Sequence, residues 1–227
     1  MSEPGMRGTT LVFDLDGTLI DTAPDLIGSV NHMLAGLRLA AVDAHLIRPE
    51  ISFGARRMLE KALAIRDVRL GEAELDRLYA DYLVHYERHI ARESRPFPGL
   101  LAALDRLQQR GARLAVCTNK WEGLARSLLG QLGLLDRFAA ITGRDTFAVY
   151  KPDPAHLLGT IALAGGEAGH AVMIGDSDTD IRTAKAAGVP VVAVSFGYTD
   201  ISVRELGADR VIDDFAELDA ALAGLRD

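Results

Sequence analysis

Six short apolar runs, each followed by an amphipathic helical pattern or a polar turn, recur along this chain and leave few folds open to it. Thr9-Thr10-Leu11-Val12-Phe13 comes first. Arg113–Cys117, Phe138–Ile141, Ala171–Ile174, Val191–Val194 and Arg210–Ile212 follow. None alternates apolar with polar, so each reads as a strand buried on both faces. The segments Leu100–Gln109, Glu122–Leu132, Pro154–Ala164, Thr179–Ala187 and Phe215–Leu225 carry apolar residues at three- and four-residue spacing. Gly111, Gly133 and Gly188 stand as helix stops. Strand alternating with helix predicts an α/β fold, a parallel sheet covered by helices on both faces.

One interruption breaks the alternation. Residues 20–94 show no strand signal and are far too long for a crossover connection, so they are expected to form a unit of their own. Helical periodicity covers Asp25–Leu37, Ala55–Ala64 and Glu72–Arg92, and Pro96-Phe97-Pro98-Gly99 reads as the hinge back to the sheet. At 227 residues the chain has room for a sheet core plus this smaller insertion. The predicted division is a discontinuous core of residues 1–19 and 95–227 and a helical unit of residues 20–94.

Composition narrows the partners. With 25 basic and 32 acidic residues the formal charge is −7, which disfavours a broad grip on nucleic acid or on an anionic membrane. No run approaches the ~20 apolar residues of a membrane span, and Met1–Thr10 lacks the apolar stretch of a secretory signal. A cytoplasmic location is expected. The single cysteine, Cys117, sits in a strand and reads as buried filler, with no partner for a disulfide.

In an open parallel sheet, ligands bind beyond the carboxyl ends of the strands. Asp14 and Asp16 follow the first strand, Thr118 and Asn119 the second, Lys151 opens the helix after the third, and Gly175-Asp176-Ser177-Asp178-Thr179-Asp180 follows the fourth. So many carboxylates at one edge repel one another unless a cation is present, and oxygen donors without His or Cys suit Mg²⁺. Because Mg²⁺ shares its shell with phosphate oxygens, the expected ligand is a phosphate ester. Asp14 would attack phosphorus and Asp16 would protonate the departing alcohol. Lys151 and the Thr118 hydroxyl would hold phosphoryl oxygens, and Gly17 would turn the backbone past the phosphate.

Taken together, Phe13-Asp14-Leu15-Asp16-Gly17-Thr18-Leu19, Thr118-Asn119, Lys151-Pro152 and Gly175-Asp176-Ser177-x-x-Asp180 resemble, in order, the four motifs of the haloacid dehalogenase superfamily of phosphatases. The resemblance implies a modified Rossmann-like core with an inserted helical cap. It also implies that Asp14 is the nucleophile and a Mg²⁺ ligand, and that Asp16 is the general acid and base, lending a backbone carbonyl to the metal. Asp176 would be a further ligand, and Asp180 would act through the metal's waters or orient Lys151. A nearer similarity is to phosphoglycolate phosphatases, through Asp21-Thr22-Ala23-Pro24-Asp25, Ile51–Leu59, Phe196-Gly197-Tyr198 and Ala208–Ile212. It implies a small phosphorylated metabolite, 2-phosphoglycolate, as substrate. A β-phosphoglucomutase-like mutase, a pyrophosphatase or nucleotidase, and an inactive binding homologue share enough of these motifs to remain open.

In the insertion, Arg56 and Arg57 begin a helix, a poor place for cations next to its dipole. Arg56, with the amides near Gly54, is therefore a candidate to meet a substrate carboxylate, against the alternative of a surface arginine. His85 and His89, four apart on a helix, lack a third ligand and read as packing residues.

Overall fold

In the computed structural model, which describes residues 5–199 and 201–225, the first apolar run is strand β1, Thr10–Phe13. The chain leaves it through β2 (Ile20–Asp21) and enters helices α1 (Ala23–Gly36), α2 (Ala44–Ile47), α3 (Ala55–Ile65) and α4 (Glu72–Arg88), with a 3₁₀ turn at Arg48–Phe53. It returns on β3 (Arg95–Pro96) and then runs through α5 (Leu100–Gln109), β4 (Arg113–Cys117), α6 (Glu122–Gln131), β5 (Ala140–Thr142) and α7 (Pro154–Leu163). The chain closes with β6 (Ala171–Gly175), α8 (Asp178–Ala186), β7 (Val191–Val194), β8 (Arg210–Ile212) and α9 (Leu218–Ala223).

The main sheet is six-stranded and parallel, in the order β5-β4-β1-β6-β7-β8. Its strands are continuous apolar runs because both pleat faces are buried. Leu11 and Phe13 of β1, Leu114 and Val116 of β4, and Val192 and Val194 of β7 enter one apolar cluster with α5, α6 and α9. Val12, Ala115, Cys117, Val191 and Ala193 point to the opposite cluster, with α7 and α8. The result is a three-layer α/β fold.

Three sequence expectations are corrected. Residues 20–94 are not free of strand, since Ile20–Asp21 pairs antiparallel with Arg95–Pro96. Two-residue strands are too short to show a period. Lys151 does not open the helix after β5: it lies in the loop before α7, whose first turn is capped by the Asp153 carboxylate accepting from the Ala155 amide. Phe215–Leu225 is not one helix but a 3₁₀ turn, Phe215–Glu217, running into α9.

The exit and return of the insertion are stitched together by buried polar groups. The Asp25 carboxylate accepts the amides of Glu93 and Ser94 and the Ser94 hydroxyl at 2.7–3.0 Å. The Tyr198 hydroxyl, from the loop after β7, accepts the Thr22 and Ala23 amides and donates to Asp21. Both motifs singled out in the sequence, Asp21–Asp25 and Phe196–Tyr198, thus meet at one point.

His156 on α7 is fully buried, edge-on to Phe147. Burial, reinforced by the charge of Lys151, pushes its imidazole down from 6.5 to about 4. Between those values only the unfolded chain takes up the proton, so stability is complete above pH ~6.5 and falls as the pH drops toward 4. Wild type is expected to lose about 2 kcal/mol more than His156→Leu between pH 7 and pH 5, measured by urea unfolding. Parallel pH profiles would refute this.

Candidate active site

The centre of the sheet is where the connections diverge, to β4 on one side of β1 and to β6 on the other, and this opens a crevice at the carboxyl edge. Phe13 lies level with Val116 and Ile174, so Asp14, Thr118 and Asp176 emerge within two residues of one line. The loop after β5 brings Lys151 across to them. The Lys151 ammonium, 2% exposed, sits 2.6 Å from Asp180 and 3.0 Å from Asp14. Burial works against its charge, but Asp14 and Asp180 outweigh it and hold the lysine firmly protonated.

Asp176 and Asp180 are held by bonds that leave little freedom. Asp176 accepts the Thr18 hydroxyl and the Tyr198 amide, each at 2.9 Å. Asp180 accepts the Ser177 hydroxyl at 2.7 Å and the amides of Asp176 and Ser177, forming a capping box at the start of α8. The loops that flank Asp176 must come very close. Gly17, at φ +85°, would put a Cβ 2.5 Å from the Asp176 carboxylate, and Gly197 would put one 2.2 Å from the Asp176 Cβ. Neither position has room for a side chain.

Asp14, Asp176 and Asp180 each offer a carboxylate oxygen within 4.8 Å of the others. Burial raises Asp14 to about 6 and Asp176 well above the usual carboxylate range, with the neighbouring carboxylates adding to both shifts and Lys151 opposing that of Asp14. One lysine does not neutralise three carboxylates. An all-oxygen donor set with excess negative charge fits a hard divalent cation.

Over this edge lies a cavity of about 390 Å³, lined from the sheet side by Asp14, Asp16, Thr118, Asn119 and Lys151 and from the insertion by Ser52, Phe53, Gly54, Met58 and Tyr86. The Thr118 hydroxyl accepts the Lys120 amide, and the Asn119 side chain donates to the Lys151 carbonyl, fixing that loop. Arg56 is not brought there. Its guanidinium is engaged by Asp76, by Glu72 at 2.7 Å and by Glu60 at 3.5 Å, a surface ion-pair network bridging α3 and α4. The expectation that Arg56 faces the substrate is corrected; of that pair only Gly54 lines the cavity.

Lys120 is the main residue missed in the sequence. It contacts both Asp16 carboxylate oxygens, at 2.9 and 3.0 Å, and stands 4.8 Å from the centre of the Tyr86 ring. A signal was present, since Lys120 directly follows Thr118-Asn119 in a chain with only four lysines. Arg144, also unforeseen, lines the cavity between Trp121 and Tyr150. His85 stacks on His32 and His89, so these histidines pack. The Cys117 thiol is buried and pushed up to about 11, consistent with filler.

A parallel sheet whose divergence point carries a carboxylate triad gripped by a buried lysine, under a cavity roofed by a helical insertion, defines an α/β enzyme with an acidic, cation-demanding site. Residues 11–194 match the family described as haloacid dehalogenase-like hydrolase, and the chain belongs to that family. It is 54% identical over 218 residues to a phosphoglycolate phosphatase of Mesorhizobium japonicum, covering 96% of each chain. It is 51% identical over 211 residues to another of Agrobacterium fabrum, covering 93% of this chain and 91% of that one. Among solved structures, that of a predicted phosphoglycolate phosphatase from Haemophilus somnus superposes with a TM-score of 0.87 at 28% identity, covering 94% of this chain and 96% of the other. No helix among the described residues is long and apolar enough to cross a membrane.

Proposed function

We propose that the chain is a Mg²⁺-dependent phosphatase that hydrolyses a small phosphate monoester, 2-phosphoglycolate, through an aspartyl-phosphate. The observation that carries this reading is the position of Asp14: at the sheet's divergence point, on the cavity, paired with Lys151 and backed by Asp176 and Asp180. The names of the relatives support the choice of ester. Residues 20–94 serve as the cap and residues 1–19 and 95–227 as the core, so that substrate is enclosed between them.

In this mechanism an Asp14 oxygen attacks phosphorus while the ester P–O bond breaks, and Asp16 gives its proton to the departing alkoxide. Asp16, now a base, takes a proton from water. That water attacks the aspartyl-phosphate, phosphate leaves, and Asp14 is regenerated. Lys151 and the Thr118 hydroxyl hold phosphoryl oxygens throughout, with Asn119 keeping the Lys151 loop in place. Gly17, Thr18, Gly175 and Ser177 shape and hold the carboxylate cluster. Mg²⁺, held by the Asp14 and Asp176 carboxylates and the Asp16 carbonyl, supplies the positive charge that lets the phosphate dianion approach Asp14.

The test is phosphate release from a panel of phosphorylated metabolites with Mg²⁺ present. Phosphoglycolate should lead; a sugar phosphate rearranged without phosphate release would instead make the protein a mutase. Chelation is expected to stop turnover, with Mg²⁺ restoring it and Ca²⁺ failing, because Ca²⁺ takes more ligands in looser geometry. Independently of turnover, Mg²⁺ should raise the melting temperature of the chelated protein by relieving repulsion among Asp14, Asp176 and Asp180. Full activity in chelator, or no thermal shift with Mg²⁺, would contradict the metal assignment.

A further inference from the structure

Lys151 serves the phosphoryl side of the cavity, so something else must meet the leaving group. Only certain cations are placed to do so. Arg56 is held outside by Glu60, Glu72 and Asp76, Arg144 is held between two aromatic rings, and Arg182, also on the cavity, is exposed and paired with Asp178. Lys120 is different: it is 9% exposed, lines the cavity, and has both of its short contacts to Asp16, the carboxylate assigned to protonate the ester oxygen. A general acid must lie within about 3 Å of the oxygen it protonates. The Lys120 ammonium, a further 2.9 Å from that acid, therefore stands beside the first atoms of the leaving group.

A second, independent feature lies next to it. Tyr86, from α4, is 1% exposed and lines the same cavity, and its hydroxyl has no hydrogen-bond partner among the described residues. A buried hydroxyl left unpaired is costly unless a ligand satisfies it. The Tyr86 ring also flanks the Lys120 ammonium, so the cation and the free hydroxyl belong to one small region contributed by core and insertion together.

We infer that Lys120 and the Tyr86 hydroxyl form the subsite for the carboxylate of the leaving group, with Asp16 as the resident counter-ion that this carboxylate displaces. The inference rests on the phosphoglycolate reading and deepens it. In glycolate the carboxylate is one methylene from the ester oxygen, which suits a cation one hydrogen bond from the general acid. Recognition and chemistry are then coupled: a substrate carboxylate that draws Lys120 away frees Asp16 to carry a proton to the ester oxygen, whereas an ester without a carboxylate leaves the clamp closed. The wrong substrate therefore fails by leaving the general acid in its ion pair with Lys120.

The experiment compares kcat/KM for 2-phosphoglycolate with that for ethyl phosphate, the same two-carbon ester without the carboxylate. Wild type should prefer phosphoglycolate, and Lys120→Met should reduce that ratio tenfold or more, with Lys120→Arg restoring part of it. Tyr86→Phe should reduce it severalfold, chiefly through KM, and glycolate should become a weaker competitive inhibitor of both Lys120→Met and Tyr86→Phe. If folded Lys120→Met loses activity equally on both esters, the subsite is wrong while the phosphatase reading stands. Wild type showing no preference for phosphoglycolate would overturn the substrate reading and this inference with it. Should Lys120→Met fail to fold, Tyr86→Phe and its glycolate inhibition decide, and an unchanged ratio and inhibition there would overturn the subsite.

Discussion

Asp14→Asn is expected to eliminate phosphate release, with kcat falling by a factor of roughly 10⁴ or more. An amide neither attacks phosphorus nor supplies the negative charge that Lys151 and a divalent cation face at this point. The fold should survive. Asn has the shape of Asp, and removing one of three crowded carboxylates relieves repulsion with Asp176 and Asp180 even as it weakens the pair with Lys151. Melting in chelator should therefore stay close to wild type, while the stabilisation by Mg²⁺ shrinks. The comparison requires mass-spectrometric proof that the introduced amide has not reverted to a carboxylate by deamidation, and an intact variant that retains more than a trace of turnover would remove Asp14 from the nucleophile role.

Lys151→Met should be nearly as damaging to turnover and far more damaging to the fold. The methionine follows the lysine stem, but the variant leaves Asp180, which is fully buried, and Asp14 without the ammonium that lies 2.6 and 3.0 Å from them. Deleting one partner of a buried ion pair costs about 3–5 kcal/mol, because the surviving charge stays uncompensated. We expect that loss in urea unfolding with chelator present and a smaller one with Mg²⁺, which supplies positive charge to the same cluster. Turnover should fall by roughly 10³, on the scale of a lost cation that stabilises a transferring phosphoryl group. A stability loss below about 1 kcal/mol in chelator would show that the carboxylates do not depend on Lys151.

The contrast between these two residues and Arg56 shows where sequence reasoning runs out. Asp14 could be picked out because it directly follows a recognisable strand, and strand ends of a parallel sheet converge, while Lys151 stood out as one of only four lysines, in a Lys-Pro pair before a helix. Arg56 had only local evidence, a cation at a helix start, and local evidence points to any anion nearby. Its actual partners, Glu72 and Asp76, lie 16 and 20 residues further on, on another helix. Lys120 failed in the opposite direction: its neighbours in sequence were noticed, but its role depends on Asp16, 104 residues away. Segments without a period were also invisible. The 3₁₀ turn at Arg48–Phe53 and the two-residue strands β2 and β3 have no hydrophobic repeat to detect.

What the chain's order of residues determined by itself is the three-layer sheet and the edge at which chemistry gathers. Strands buried on both faces must be apolar throughout, helices covering them must be apolar on one side, and those two periods can be read without coordinates. The tertiary structure alone decided which charges neutralise one another and which stay available. Lys151 joins Asp14 to Asp180, Lys120 holds Asp16, Tyr198 ties Asp176 to the root of the insertion, and the buried Tyr86 hydroxyl is left without a partner among the described residues. The physical reason is range. A hydrophobic period is written along a few successive residues, whereas an ion pair or hydrogen bond forms only over about 3 Å, between groups that nothing but the completed fold brings that close.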